Sequence, residues 1–328
     1  MKNTQHAGRI VSFIITAIAL VFSFSFFAST AYATEGDHKY KIEDTGTQIF
    51  GDFVLENAKI EVALDPGETA SQDMVVINRT ERDVKFLVSV EDFTGSPTGE
   101  SSARLLGDER GPYSLKDYFN PEVWEFVLKS GQKITLPVEI SVPEDATPGG
   151  LYGSVLVASQ PAGGGQNPVI SRLGALFFVR VNGEVVEDGL LESFVMTPSQ
   201  KIFTKGTPEK FTLTTRNNGT VHMNSYGIIQ ITNSLGVIVD EVEVEPYFTL
   251  PNAVRSADII WESASSLLVG RYTATALINR GYDDIIDEMS VSFWIMPTGL
   301  IVKWFIGIVI FIILLRLIFS KFEIRTRK

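Results

Sequence analysis

Between Gly51 and Ile295 the chain is written in short β-branched and aromatic runs separated by Gly, Pro, Asn and Asp. That pattern constrains the fold severely. Strands of this length bury one face each, and only stacked sheets let them do so. In VKFLVSVEDF (84–93) the period is two, with Val84, Phe86, Val88 and Val90 on one face. KITLPVEISV (133–142) alternates through Ile134, Leu136, Val138 and Ile140. Pro137 has no N–H for a ladder, which predicts an edge strand or a bulge there. About seven such runs before Asn182 predict an antiparallel sandwich of immunoglobulin type. EKFTLTTRN, YGIIQITN, GVIVDEVEV, VRSADIIWE, GRYTATALIN and DEMSVSFWI predict a second one, with Asn233-Ser234-Leu235-Gly236 as a tight hairpin turn.

No helical period interrupts this region, so the expected fold class is all-β: two tandem immunoglobulin-like sandwiches, over 50–182 and 183–296. Two segments stand out as long irregular loops, Asp92 to Asn120 and the Gly-rich PAGGGQNP (161–168). Cutting the domains at PAGGGQNP would strand ALFFVRV (175–181) without a sheet, so the boundary is placed near Asn182-Gly183.

The two ends read differently. Leu300 to Phe319 is a nearly unbroken apolar run, and twenty helical residues span roughly 30 Å, a bilayer's hydrocarbon core. A membrane helix is expected over 298–319 and a basic cytoplasmic tail over 320–328. Lys303, Trp304, Arg316 and Lys321 are its expected anchors: the long cations reach the headgroups and the indole sits at the interface. Lys2 and Arg9, then an apolar stretch from Ile10 to Phe27, then Ala31-Tyr32-Ala33, predict a signal peptide over 1–33 and a mature leader over 34–49. An uncleaved signal would be a second anchor, and the middle of the chain is exported either way. The expectation is a single-pass cell-membrane protein with its N-terminal domains outside and its C-terminus in the cytoplasm.

Composition narrows the chemistry. With 39 Asp and Glu against 28 Lys and Arg, the formal net charge is −11. The two ends carry eight of these basic residues and only one acid, Glu323, so the exported part is more acidic still. Such a surface, taken as a whole, disfavours nucleic acid and anionic membrane as ligands. There is no cysteine, which removes thiol chemistry and leaves core burial as the source of stability.

A catalytic constellation is missing. Of three histidines, His6 lies in the signal and His38 in the leader; only His222 falls in a domain, where a solvent-exposed loop position is expected. No strand–turn–helix context suits a nucleophile elbow or a phosphate loop. Asp283, Asp284, Asp287 and Glu288 form an acidic cluster without the D-x-D-x-D-G spacing of a calcium loop, and a turn is expected. Asn78-Arg79-Thr80 and Asn218-Gly219-Thr220 fit a glycosylation sequon. Met296-Pro297-Thr298-Gly299 lacks the spacer residue of an LPxTG sorting signal, so the helix is expected to stay on the protein. The expectation is a non-enzyme without cofactor or metal.

The stretches LDPGETASQDMVVINRT (64–80), ISVPEDATPGGLYGSVLVAS (140–159) and ISRLGALFFVRVNGEV (170–185) resemble the WxL-interacting surface proteins of Gram-positive bacteria. The order of signal, two sandwiches, helix and basic tail resembles theirs too. The resemblance implies peptidoglycan binding by the first domain and protein binding by the second, and transfers no contact residue. The first domain is also similar to the sandwiches of pilus chaperones. The resulting expectation is an anchored extracytoplasmic binding or adhesion protein for cell-wall peptidoglycan or surface proteins. An envelope assembly chaperone and a structural subunit of an envelope complex are the alternatives.

Overall fold

The computed structural model describes residues 40–46, 48–160, 170–204, 206–208, 210–262 and 269–321. The expected signal peptide, His6, His38, the loop 161–168 and most of the basic tail lie outside them. By its contacts the chain divides into residues 1–41, of which only Tyr40 and Lys41 are described, and residues 42–328. The second unit holds two β-sandwiches and a helix.

The first sandwich stacks two sheets. One contains β1 (Lys41–Asp44), β2 (Phe53–Glu56), β4 (Thr69–Asn78) and β9 (Gln132–Ser141), in the order β1-β9-β4-β2, with β7 (Phe119–Pro121) also against β9. The other contains β3 (Lys59–Leu64), β5 (Val84–Thr94), β10 (Gly149–Ser159) and β11 (Arg172–Val181), in the order β3-β11-β10-β5. The short strands β6 (Arg104–Leu105) and β8 (Glu125–Leu128) both pair with β5. Asn57, at φ 57°, turns the chain from β2 in one sheet to β3 in the other. β3 then runs parallel to β11, from Lys59 opposite Leu176 to Leu64 opposite Val181.

The second sandwich repeats that wiring. β12 (Gly189–Thr197), β14 (Lys210–Asn217) and β17 (Ala253–Ile260) form one sheet. The other has the order β13-β19-β18-β15-β16, made of β13 (Ile202–Phe203), β15 (Met223–Asn233), β16 (Ile238–Thr249), β18 (Gly270–Asn279) and β19 (Ile286–Ile295). Here too the first strand changes sheets, and its second half, β13, lies parallel to the last strand, β19. Helix α1 (Thr298–Lys321) follows.

Alternation builds the cores. Val84, Phe86 and Val88 of β5 face Ile134, Leu136, Val138 and Ile140 of β9, all buried. In the second sandwich Phe211, Trp261, Tyr272 and Phe293 pack with Ile229 and Ile231. Each such side chain contributes about 1.5–3 kcal/mol by leaving water. Pro137 lies where its missing N–H costs least. β4 covers one side of β9 throughout, while on the other side β7 stops opposite Val138. β1 occupies part of the stretch expected as a leader and adds to β9, with the Gln132 amide donating to Asp44 at 3.0 Å.

Candidate functional site

The two sandwiches meet over the outer face of the β3-β11-β10-β5 sheet. In β11 the neighbours Phe177 and Phe178 are both buried, so both faces of this strand are covered. Phe177 enters the first core, and Phe178 packs with Phe93, Tyr152, Leu250 and Ala253. Its ring lies 4.8 Å from Phe248 of β16 and 4.9 Å from His222, at edge or tilted angles that suit aromatic quadrupoles. Lys59 spans the joint, its ammonium 5.1 Å from the Phe178 ring and 5.3 Å from Phe248.

Polar bonds fix the same geometry. Asp92 is fully buried and accepts from the amides of Gly111, Leu115 and Lys116 at 2.9–3.0 Å, which folds the segment after β5 back on itself. These bonds make that segment a structural clamp. Gly95 lies against Leu250 and Ala253, where a Cβ would overlap the Ala253 side chain. The amide of Val254 donates to Ser96 at 3.0 Å, Gly99 bridges to Arg255, and Asn252 donates to the Tyr113 hydroxyl at 2.8 Å. The connection through 182–188 is bound as well: Asn182 donates to Asp65 at 2.8 Å, and Val186 and Thr220 exchange backbone and side-chain bonds.

A cleft of about 340 Å³ opens beside this joint, lined by residues that include Glu61, Ala63, Arg180, Glu187, His222 and Tyr282. Glu61 is ion-paired with Lys59, and its carboxylate accepts from the Asn224 amide at 3.3 Å. His222 Nε2 stands 3.8 Å from the same carboxylate. The His222 imidazole, helped by Lys59 and opposed by partial burial, holds the Glu61 carboxyl down at about 2. Arg180 donates to Glu187 at 2.9 Å across the cleft floor. Burial pushes the Tyr152 phenol far above its ordinary value, so it stays neutral and packs as an aromatic.

His222 is therefore not a solvent-exposed loop residue. Its side chain is only 10% exposed, held between the rings of Tyr152 and Phe178 because the second sandwich closes over the first. Composition alone hides this, since the partners lie some 45–70 residues away. The doublet Phe177-Phe178 is the sequence signal that was there to read: a strand with one wet face would alternate.

β3 borders the cleft. The amide of Leu176 donates to Ala58 and that of Asn182 to Leu64, both at 2.8 Å, so the even positions of β3 bond toward β11. Alternation then directs the N–H and C=O groups of Lys59, Glu61 and Ala63 to the other side, where no described strand lies. The side chains of Glu61 and Ala63 line the cleft.

The remaining candidate residues do other work. Asp287 accepts two bonds from Arg280, at 2.6 and 3.0 Å, and one from the Leu191 amide at 2.7 Å. Asp283 and Asp284 form the left-handed turn between β18 and β19 at φ 52° and 51°. Among the described residues no group of three or more His, Asp or Glu is arranged to hold a metal ion. Lys303, Trp304 and Arg316 are exposed along α1, and Lys321 is its last residue. The span Ile301–Phe319 has a mean hydropathy of 2.6 and is unburied, long and apolar enough to cross a membrane.

No family model matches the chain, and no curated protein matches it either. Among solved structures it is similar to the class 5 fimbriae chaperone CfaA, at 9% identity and a TM-score of 0.38, covering 74% of this chain and 99% of that one. It is also similar to the CsuC–CsuE chaperone–tip adhesion subunit pre-assembly complex from the Csu pili of Acinetobacter baumannii, at 12% identity and a TM-score of 0.36, covering 75% and 99%. The Escherichia coli chaperone DraB is similar at 14% identity and a TM-score of 0.33, covering 73% and 98%.

Proposed function

We propose that this is a membrane-anchored binding protein that holds two closely packed sandwiches outside the cytoplasm and takes an extended polypeptide along the outer edge of β3. The observation that carries it is the backbone of Lys59, Glu61 and Ala63, which pairs with no strand among the described residues and lies beside a charged cleft. Strand addition draws affinity from main-chain bonds and selectivity from the pockets beside them. Lys59, Glu61, Arg180 and Glu187 offer both signs of charge for that selection. The reading is of a binding protein rather than an enzyme. Helix α1, with Lys303, Trp304, Arg316 and Lys321 as interfacial anchors, keeps it in the cell membrane with its C-terminus inside. The resemblance to WxL-interacting surface proteins supports a place at the cell surface.

A second reading, an envelope assembly chaperone, is favoured by β11. Its residues Arg172–Ala175 run past the start of β3 and pair with no described strand on that side, in line with where a client strand would continue β3. A photo-crosslinker at Ala63 of the full chain, in its native membrane, tests both. A stable protein adduct absent from a control at Glu243 on β16 is the expected result. An adduct that passes on to an assembled surface structure selects the chaperone reading, and one dissolved by a peptidoglycan hydrolase makes the ligand cell-wall glycan.

A further inference from the structure

We propose that the end of the second sandwich nearest α1 is a lipid-contacting surface, whose loops insert into the headgroup layer around the helix. This rests on reading α1 as a membrane span. Only Met296 and Pro297 separate the end of β19 from α1, and two residues reach at most about 7 Å. The slack is smaller in fact, because the amide of Met296 donates to Phe203 at 2.7 Å and that of Thr298 to Thr204. The apolar span begins at Ile301, within about one turn, or 5.4 Å, of the helix start. A headgroup layer is roughly 5–7 Å deep on each side. The sandwich end therefore has no room to stand clear of it.

Strand registers show which loops share that end. Trp294 lies opposite both Ile202 and Arg271, Asn233 opposite Tyr272, and Lys210 opposite both Ile260 and Thr197. The β15–β16 hairpin tip, the end of β17 and the start of β18 thus sit around the helix entry. Several large apolar side chains are exposed there: Leu235 at 85% exposure, Ile260 at 67%, with Ile202, Val237, Val269 and Trp294. A soluble domain end rarely gathers so many large apolar groups without a partner. Charge agrees. Arg271 and Lys201 are exposed there against the exposed carboxylate of Glu262, while Asp258 is paired to Lys210 and Asp240 accepts from the Trp261 indole at 2.8 Å. Apolar tips with cations beside them suit an anionic lipid surface.

The chain has no cysteine, so single substitutions give unique labels. Leu235→Cys, Ile310→Cys and Asp83→Cys, each in the full chain carrying a spin label, are reconstituted in vesicles of phosphatidylcholine and phosphatidylglycerol. Collision with dissolved oxygen against a water-soluble nickel chelate then reads depth. The expected result is a label at 310 in the hydrocarbon, one at 235 at the headgroup boundary and one at 83 in water. A label at 235 as exposed to nickel as that at 83, with 310 still buried, overturns this inference and leaves the anchor standing. A label at 310 in water overturns both.

Discussion

Asn78 and Asn217 occupy the same position in the two sandwiches and make the same bonds. Each ends the second core strand of its domain and is buried. The Asn78 amide donates to Arg82 at 2.9 Å and Leu128 at 3.0 Å, and its oxygen accepts from the Thr80 amide. The Asn217 amide donates to Val221 and Thr249, both at 2.8 Å, and its oxygen accepts from the Gly219 amide. One side chain in each domain thus satisfies a turn and the approach of a facing strand. Asn78 is accordingly no glycan acceptor, since its nitrogen is spent inside.

Asn217→Ala strands two buried carbonyls and one N–H and is expected to lose about 2–4 kcal/mol; Asn78→Ala strands one buried carbonyl, one partly buried carbonyl and one N–H and is expected to lose about 1–3 kcal/mol. Chemical denaturation followed by domain-specific probes checks this. Losses below about 0.5 kcal/mol would show that the turns hold themselves.

The Gly95–Ala253 contact gives a cleaner test of the joint. Gly95→Ala is expected to destabilise the interface, and Ala253→Gly to restore it by making space. In a double-mutant cycle the coupling is expected at about 0.5–3 kcal/mol. Additive effects would mean that the sandwiches do not meet there.

Much of this was legible in the sequence and some was not, for definite reasons. Period-two alternation announces β5 and β9, and Asn233 to Gly236 announces its hairpin, where Gly236 takes φ 76° and Asn233 accepts from the amides of Leu235 and Val237. β12 escapes because its register shifts between Leu191 and Ser193, so Glu192 breaks the alternation. The cleft escapes because its contacts are remote: Lys59 donates to Asn224, 165 residues away, and no local pattern encodes such a meeting. The acidic cluster was half legible: Asp283 and Asp284 form the expected turn, while Asp287 and Glu288 belong to β19, where Asp287 is held by Arg280 and the Leu191 amide rather than standing on a solvated face.

Glu61 predicts a pH dependence. Its folded value, about 2, lies below the ordinary carboxylate value of 4.5, so it binds protons less readily folded than unfolded. The stability it contributes is fully present above about pH 4.5 and is lost as pH falls through about 2. Glu61 is partly solvated, so screening limits the effect to roughly 1 kcal/mol or less. The difference between wild type and Glu61→Gln is therefore expected to hold steady near neutrality and to vanish toward pH 2. A difference that grows on acidification contradicts the ion-paired geometry.

The anchor predicts its own failure. A lysine at Ile310 costs about 2.5–3.5 kcal/mol at a helix centre. Ile310→Lys is expected to shift the full chain from the pellet to the supernatant in alkaline extraction of membranes. Unchanged pelleting would mean that something other than α1 retains it.

The central claim is that a polypeptide pairs with the outer edge of β3, and Ala63→Pro tests it most directly. Proline removes the outward N–H and leaves the ladder to β11 intact, because the even positions make it. Val62 before it is already extended, which suits a following proline. The measurement is affinity for the partner trapped at position 63, with Ala63→Ser as control and thermal unfolding to confirm the fold. The account predicts at least about a tenfold loss for proline, none for serine, and unfolding temperatures close to wild type for both. Equal binding by the proline and serine variants would contradict it.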